Sequence, residues 1–469
     1  MYGKTMALAL GLLVGTVMLT GTARADSADD YVRAQMAQRH IPGLSVAVVQ
    51  GGKVVKMRGY GSASLAPDRP VTPETVFNLA SLTKQFTAAA VLKLAQDGKL
   101  GADDEAAHFV ADWPAAWKGI TVRQLLNQTT GIPNFLETIP PDDYGKFYST
   151  RDFLEAAASK PLLFAPGTQF AYSNTNYHLL ALVVEKAGGR PYGAYLHDTF
   201  FGPLGMTHTR LDGSGPPGPD RARGYGWDGS RYVPDTLRLD PSLDFGDRGV
   251  LSTAPDLVKW DAALDGDGVL SSASKAVLWT PPALPGGAQT SYAAGWIAQT
   301  VGGHHLLWHN GVLPFSFSAA LLRFPDDRLS LVVLANSLKP ADLLSLPAYS
   351  LTLGLAKLYL PDLAKADAGI PDSNPQTAAL VRTVSAQIAA GKLDPGLFAP
   401  ALRAALTPRA VAPARALLAP LGPLTSLVLL ARDAGGTSLY RALYGPIAVR
   451  WLVAVDAAHK ITVLRPMAE

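Results

Sequence analysis

The strand signals of this chain sit at two distant places, and that distribution limits its fold more than any other feature. Gly43 to Gly61 reads GLSVAVVQGGKVVKMRGYG, two β-rich runs joined at Gly51-Gly52, which is a hairpin signal. Strand signals return after Tyr292. There AAGWIAQTVGGHHLLWHNG turns at Gly302-Gly303, and FSAALLRFPDDRLSLVVLAN turns near Asp326-Asp327. From Pro73 to Pro255 the pattern is mainly helical with long loops. ITVRQLLNQTTGIPNF predicts a short helix ending at Gly131, and NYHLLALVVEKAGG a helix stopped by Gly188-Gly189. Leu211 to Ser230, rich in Gly and Pro, predicts a loop. The simplest arrangement is α+β: one antiparallel sheet built from both ends of this region, with flanking helices and an inserted helical subdomain. ADLLSLPAYSLTLGLAKLYL then predicts a helix that Pro347 would kink or split.

At 469 residues the chain exceeds one typical core. Residues 361–375 (PDLAKADAGIPDSNP) read as a linker between a first domain at 26–360 and a second at 376–469. The second opens with Ala-rich helices. Four strand-like runs follow, TSLVLLARDA, TSLYRALYG, AVRWLVAVDA and ITVLRP, which predict a small antiparallel sheet with helices on one face. Its role is unknown at this stage.

Residues 1–25 read as a secretory signal peptide. Lys4 precedes an apolar run from Met6 to Leu19, and Ala23-Arg24-Ala25 offers a small-x-small cleavage site. The run is short for a membrane span, so no stable span is expected after cleavage, and the location is periplasmic or secreted. The chain has no cysteine, so an exported protein must hold itself together through its core. Cleavage removes Lys4 and Arg24 and no acid. The balance of 41 basic to 38 acidic residues, formally +3, then falls nearly to neutral. No basic block points to nucleic acid.

Ser81-Leu82-Thr83-Lys84 carries the first chemical signal. Positions i and i+3 share a helix face, so the Lys84 ammonium can reach the Ser81 hydroxyl. The helix itself is marked by Phe86, Ala90 and Leu94, with Gly98 as its stop. Burial would lower the lysine pKa and make it a base. Alone, the pair reads equally well as a helix-capping serine with a surface lysine. A second copy, Ser272-Ala273-Ser274-Lys275, reads as a solvated helix start. Two further triplets lie downstream: Tyr172-Ser173-Asn174, and His309-Asn310-Gly311 at the end of a predicted strand. A glycine there lets substrate approach an edge strand closely.

These three elements, in this order, resemble the penicillin-recognising serine hydrolases, in particular the class C β-lactamase and esterase branch. That family carries Ser-x-x-Lys, then Tyr-x-Asn, then Lys-Thr-Gly or His-x-Gly. LLNQTTGIPNF, PGTQFAYSNTNYHLLALVVEKAGG, GPLGMTHT and RGVLSTAPDLVKW are also similar, and the likeness runs from Asp29 to Leu360. It implies an acyl-enzyme on Ser81, with Lys84 taking or relaying the proton. Tyr172 would be a second base if its neighbours lower its pKa. Asn174 would hold Lys84 and donate to a substrate amide; read alone, it could also cap the helix that follows. The implied oxyanion hole is the backbone N–H of Ser81 and of Val312, just past Gly311.

Two positions depart from the lactamase pattern. His309 replaces a permanently charged lysine, which weakens the case for penicillin-type carboxylates while leaving a hydrogen bond to Tyr172 or substrate. In TTGIPNF the place of an amide-binding glutamine falls on Phe135, or on Asn134 if the loop shifts. Phe135 there would favour an apolar acyl chain. His304-His305 with His309 makes a poor metal set, because strand neighbours point to opposite faces and no acid is adjacent. His208 reads as structural, and Trp296 and Trp308 as core or pocket wall. The expectation is an exported serine hydrolase of ester or amide bonds, with no metal and no cofactor. Its partner would be a small molecule or peptide, possible cell-wall fragments included. Two rivals are a penicillin or muropeptide binder without efficient turnover, and a C-terminal domain that carries the main function.

Overall fold

The computed structural model describes residues 19–212, 218–235, 239–285, 290–313, 316–338, 347–365, 368–407, 411–412, 414–415, 418–433, 436–445 and 447–468. Both ends of the first region supply one antiparallel sheet, as the strand signals predict. Its N-terminal strands are β1 (Gly43–Gln50), β2 (Lys53–Leu65) and β3 (Asp68–Pro70). Short strands follow in the middle of the chain: β4 (Phe77–Asn78), β5 (Arg210–Leu211), β6 (Tyr225–Trp227), β7 (Tyr232–Pro234) and β8 (Val250–Ser252). The sheet resumes with β9 (Tyr292–Ala293), β10 (Trp296–Val301), β11 (His304–Leu313), β12 (Phe317–Phe324) and β13 (Leu329–Ala335). Among the described residues its order is β3-β2-β1-β13-β12-β11-β10-β9. The join is β1 on β13, with Val46 opposite Val333.

Alternation along these strands sorts side chains between two cores. Leu44, Val46 and Val48 of β1, with Leu331 and Val333 of β13, pack with Leu351, Leu353 and Leu355 of the helix Pro347–Ala356. Ala47, Val332, Leu334, Ala319 and Leu321 face the other way, onto the helices Thr83–Gln96 and Asn174–Gly188. The Thr83–Gln96 helix is buried almost all round, from Thr83 to Leu92. Such a helix holds its residues rigidly, which suits a site at its first turn.

Three details differ from the sequence reading, and a fourth is open: the helix is described from Pro347 to Ala356, and residues 339–346, where a kink or split at Pro347 would show, lie outside the described residues. The helix expected to end at Gly131 runs only from Val122 to Leu126, closed at its start by a Thr121–Gln124 capping box. The Leu211–Ser230 loop contains β6, which pairs with β7, and residues 213–217 lie outside the described residues. Lys275 is not solvated: it is buried, donates to the Gly266 carbonyl and pairs with Asp267.

Ser426–Arg432 (β14), Ser438–Tyr444 (β15), Ile447–Val455 (β16) and Ile461–Ala468 (β17) form a separate four-stranded antiparallel sheet in sequential order. Val381, Val384 and Ile388 of the helix Pro375–Ala390 pack on it beside Tyr440, Trp451 and Val453. The apolar N-terminal run falls mostly outside the described residues. A continuous helix, Leu19–Arg39, spans the expected cleavage point after Ala25. It is tied down beyond that point: Asp29 pairs with Lys56 and Arg58 and accepts from the Tyr60 hydroxyl at 2.7 Å.

Candidate active site

Ser81 sits in a 3-10 turn, Ala80–Leu82, just before the Thr83–Gln96 helix. Ala80 has φ 46°, a left-handed conformation costly for a residue with a side chain. The Asn78 side chain accepts from the Ala80 N–H at 2.7 Å and holds that turn. One turn on, Lys84 is fully buried. Its Nζ lies 3.1 Å from Ser81 Oγ, 2.8 Å from Asn174 Oδ1 and 2.8 Å from the Asp247 carbonyl oxygen. Burial pushes Lys84 down to about 7, against the charge of Asp247 and with that of Arg248. A neutral amine here donates to Asn174 and Asp247 and keeps its lone pair for the Ser81 hydroxyl.

Asn174 opens the helix Asn174–Gly188, but Ser173 occupies the capping position. The asparagine side chain therefore serves Lys84 and not the helix end. Tyr172 precedes this helix, and its ring lies 4.9 Å from Lys84 Nζ. Tyr172 is 38 % exposed. Desolvation raises the phenol above the ordinary tyrosine range, and a hydrogen bond with Ser81 offsets this only in part. The expectation of a depressed Tyr172 pKa is thus corrected: the resting site keeps the phenol protonated, and Lys84 is the group poised near neutrality.

Gln128, which the sequence reading passed over, sets the Tyr172 loop. Its carbonyl accepts from Ala171 N at 3.0 Å and its side-chain oxygen from Ser173 N at 3.1 Å, on either side of the tyrosine. It adopts φ 60°.

His309 lies on β11, buried, with its ring centroid 6.3 Å from that of Tyr172 and 5.8 Å from that of Tyr292. Its Nδ1 donates to the Asn310 carbonyl at 2.6 Å, so Nε2 is the acceptor, 3.4 Å from the Tyr292 hydroxyl. Burial and the nearby Lys84 push the imidazole down to about 3, against the bond to Asn310. His309 is therefore neutral, and its one N–H is spent on the backbone rather than offered to Tyr172.

Gly311 has a different reason from the one expected. A Cβ there would collide with the carbonyl oxygen of Leu79. The space beside Gly311 is filled by the serine turn itself, so β11 and that turn abut. Beyond Trp308 the strand has outrun β10 and, among the described residues, pairs with β12 alone. Val312, half-buried, follows on the same strand. The two backbone segments expected to carry an oxyanion hole are thus in contact at Gly311.

Phe135 does not reach a cleft. It is fully buried, 5.3 Å from the Phe153 ring centroid, with the Arg248 guanidinium 5.0 Å over its face. An apolar acyl pocket built on it is ruled out by that burial. Asn134, half-buried, caps the 3-10 turn Phe135–Glu137 by accepting from Leu136 N at 3.4 Å.

Arg248 belongs to a buried charged stretch, Asp244 to Arg248, that the motif reading did not single out. Arg248 Nε donates to Asp247 at 2.8 Å, with both side chains almost wholly enclosed. Among the described residues no cluster of three His, Asp or Glu side chains could hold a metal. His304 does have an acid partner, Asp327 at 2.8 Å in the turn between β12 and β13, which the sequence reading missed.

The chain is similar to known proteins over most of its length. A family model described as Beta-lactamase matches residues 28–354. Penicillin-binding protein 4* of Bacillus subtilis (strain 168) is 31% identical over 317 residues, 64% of this chain and 69% of that protein. Protein flp of Staphylococcus aureus (strain MRSA252) is 32% identical over 316 residues; the match takes 66% of this chain and 62% of flp, under two thirds of its length. The octameric penicillin-binding protein homologue from Pyrococcus abyssi shares the fold with TM-score 0.63 at 23% identity, covering 94% of this chain and 89% of that one. D-amino acid amidase from Ochrobactrum anthropi SV3 also superposes with TM-score 0.63 at 23% identity, covering 73% of this chain and 99% of the amidase. The chain belongs to the Beta-lactamase family.

Proposed function

We propose that the protein is an exported serine hydrolase that cleaves an ester or amide through an acyl-enzyme on Ser81. The observation that carries this reading is the placement of Lys84 Nζ, 3.1 Å from Ser81 Oγ with two other acceptors fixed at 2.8 Å. Neutral Lys84 takes the Ser81 proton as Oγ bonds to the acyl carbon. The oxyanion that forms is held by the Ser81 and Val312 N–H groups. On collapse, the C–O or C–N bond breaks and the leaving group takes a proton, delivered from Lys84 through the Tyr172 hydroxyl. Water then attacks the ester, giving its proton to the same pair, and Ser81 leaves with one.

Neutral His309 supports esters and amides over penicillin-type substrates, since it brings no positive charge to a substrate carboxylate. Export is supported by the Met6–Leu19 run followed by Ala23-Arg24-Ala25, and is checked by N-terminal sequencing of protein recovered from the periplasm or medium. The function is tested by steady-state turnover of a p-nitrophenyl ester and a matching anilide, with Ser81→Ala as control. Sustained hydrolysis that Ser81→Ala abolishes is the expected result. A single stoichiometric burst without turnover overturns hydrolysis in favour of a binder.

A further inference from the structure

Phe170 is a large apolar side chain left in water beside the site. It is 40 % exposed and lies two residues before Tyr172. A single exposed ring is ordinary on a protein surface, but this one is fixed in place against the reacting residues. The Ala171 N–H goes to the Gln128 carbonyl at 3.0 Å, and the Ser173 N–H to the Gln128 side chain at 3.1 Å. Alternate N–H groups thus meet one partner, which is the pattern of an extended segment, and side chains at i and i+2 of such a segment share a face. The rings agree. Phe170 and Tyr172 each lie 5.8 Å from the ring of Tyr292, which is itself buried. Tyr292 in turn lies 5.8 Å from the His309 ring. A further bond, from the Gly167 N–H to the Thr129 carbonyl at 2.7 Å, pins the turn that leads into Phe170.

We propose that Phe170 is a specificity residue on the leaving-group side of the site, selecting esters and amides whose leaving alcohol or amine carries an aromatic or bulky apolar substituent. The inference rests on the hydrolase reading and names the substrate class within it. Tyr172 decides the side. Its hydroxyl delivers the proton to the departing oxygen or nitrogen, so that atom lies against Tyr172, and the substituent it carries meets the next exposed ring on the same face. The neighbours suit an uncharged group. His309 is neutral with its N–H given to the Asn310 carbonyl, and Phe170 and Tyr172 offer ring surface and no counter-ion. A phenyl ring laid on Phe170 removes apolar surface of both partners from water and gains an aromatic contact. Because the Phe170 loop is already held by its backbone bonds, little ordering cost is set against that gain.

The test compares benzyl acetate with methyl acetate. The two alcohols are of nearly equal acidity, and both esters give the same acetyl-enzyme, so the ratio of their kcat/KM values reports how the leaving group is bound during acylation. In the wild type benzyl should be favoured by about ten-fold or more, as burial of a phenyl face implies. Phe170→Ser should bring the ratio towards one, and Phe170→Leu, which keeps an apolar side chain, should hold most of it. Methyl phenylacetate against methyl acetate probes the acyl side, and that ratio should be the same in Phe170→Ser as in the wild type. A benzyl-to-methyl ratio near one in the wild type overturns the inference. So does a ratio that survives in Phe170→Ser, or a Phe170→Ser effect confined to the acyl series. If none of these esters is turned over, it is the hydrolase reading that fails. The ring is then judged by ligand-observed NMR of N-benzylacetamide and N-methylacetamide on Ser81→Ala protein. Preferential binding of the benzyl amide that is lost on adding Phe170→Ser supports the inference, and no preference overturns it.

Discussion

Gly311 on β11 and Leu79 at the head of the serine turn meet backbone to backbone, with no room for a methyl group between them. The contact sets the height of Ser81 against the strand that carries Val312. Gly311→Ala must push the two segments apart. We expect kcat/KM to fall by about 100-fold or more, the cost of one misplaced oxyanion donor, while circular dichroism stays native. Activity within a few-fold of wild type would show that the contact does not position the site.

The pH dependence follows from Lys84. Its folded pKa is lowered to about 7, so the reactive neutral amine dominates above that value and is lost as pH falls through it. A plot of kcat/KM for a neutral ester against pH should therefore rise with an apparent pKa near 7. Lys84→Arg, which cannot deprotonate, should lose the activity across the range.

Tyr172 is held protonated at rest, so its hydroxyl is expected to move protons rather than start the reaction. Tyr172→Phe should reduce turnover by about 100-fold to 10,000-fold, in the range of general acid–base contributions. Ser81 should still form an adduct with a reactive fluorophosphonate, seen by intact mass, because the activated leaving group needs no proton.

Gln128 places Tyr172 without touching the reacting bond. Gln128→Ala removes the acceptor of the Ser173 N–H and leaves that buried donor unpaired, at about 1–3 kcal/mol. Thermal denaturation should show the loss, and kcat should fall with little change in KM.

Arg248 is the counter-ion of a carboxylate that has no access to water. Arg248→Ala strands Asp247 and should destabilise the fold by about 3–5 kcal/mol, read from urea unfolding. It also removes a charge that depresses Lys84, so any surviving activity should show its apparent pKa moved upward.

Much of this was legible in the sequence because it is carried by local pattern. The hairpins at Gly51-Gly52 and Gly302-Gly303 turn where glycines with positive φ permit it. The helix behind Ser81 follows its apolar spacing, and the three motif segments converge as the resemblance implies. What stayed hidden depends on contacts between distant segments. Nothing in LDFGDRGV says that the Asp247 carbonyl faces Lys84. Phe135 looked like a cleft residue because a loop carries no periodicity to assign its direction; its ring goes to Phe153 and Arg248. The Tyr172 phenol was expected to acidify if its neighbours lowered its pKa, but desolvation outweighs the hydrogen bond with Ser81.

The central claim is that buried Lys84 takes the proton of Ser81. It is tested most directly by the rate of fluorophosphonate labelling against pH, followed by intact mass and peptide mapping. The account predicts one adduct, on Ser81. Its rate should climb with an apparent pKa near 7 and vanish in Lys84→Ala. A label on another residue, or a Lys84→Ala protein that labels as fast as wild type, would contradict it.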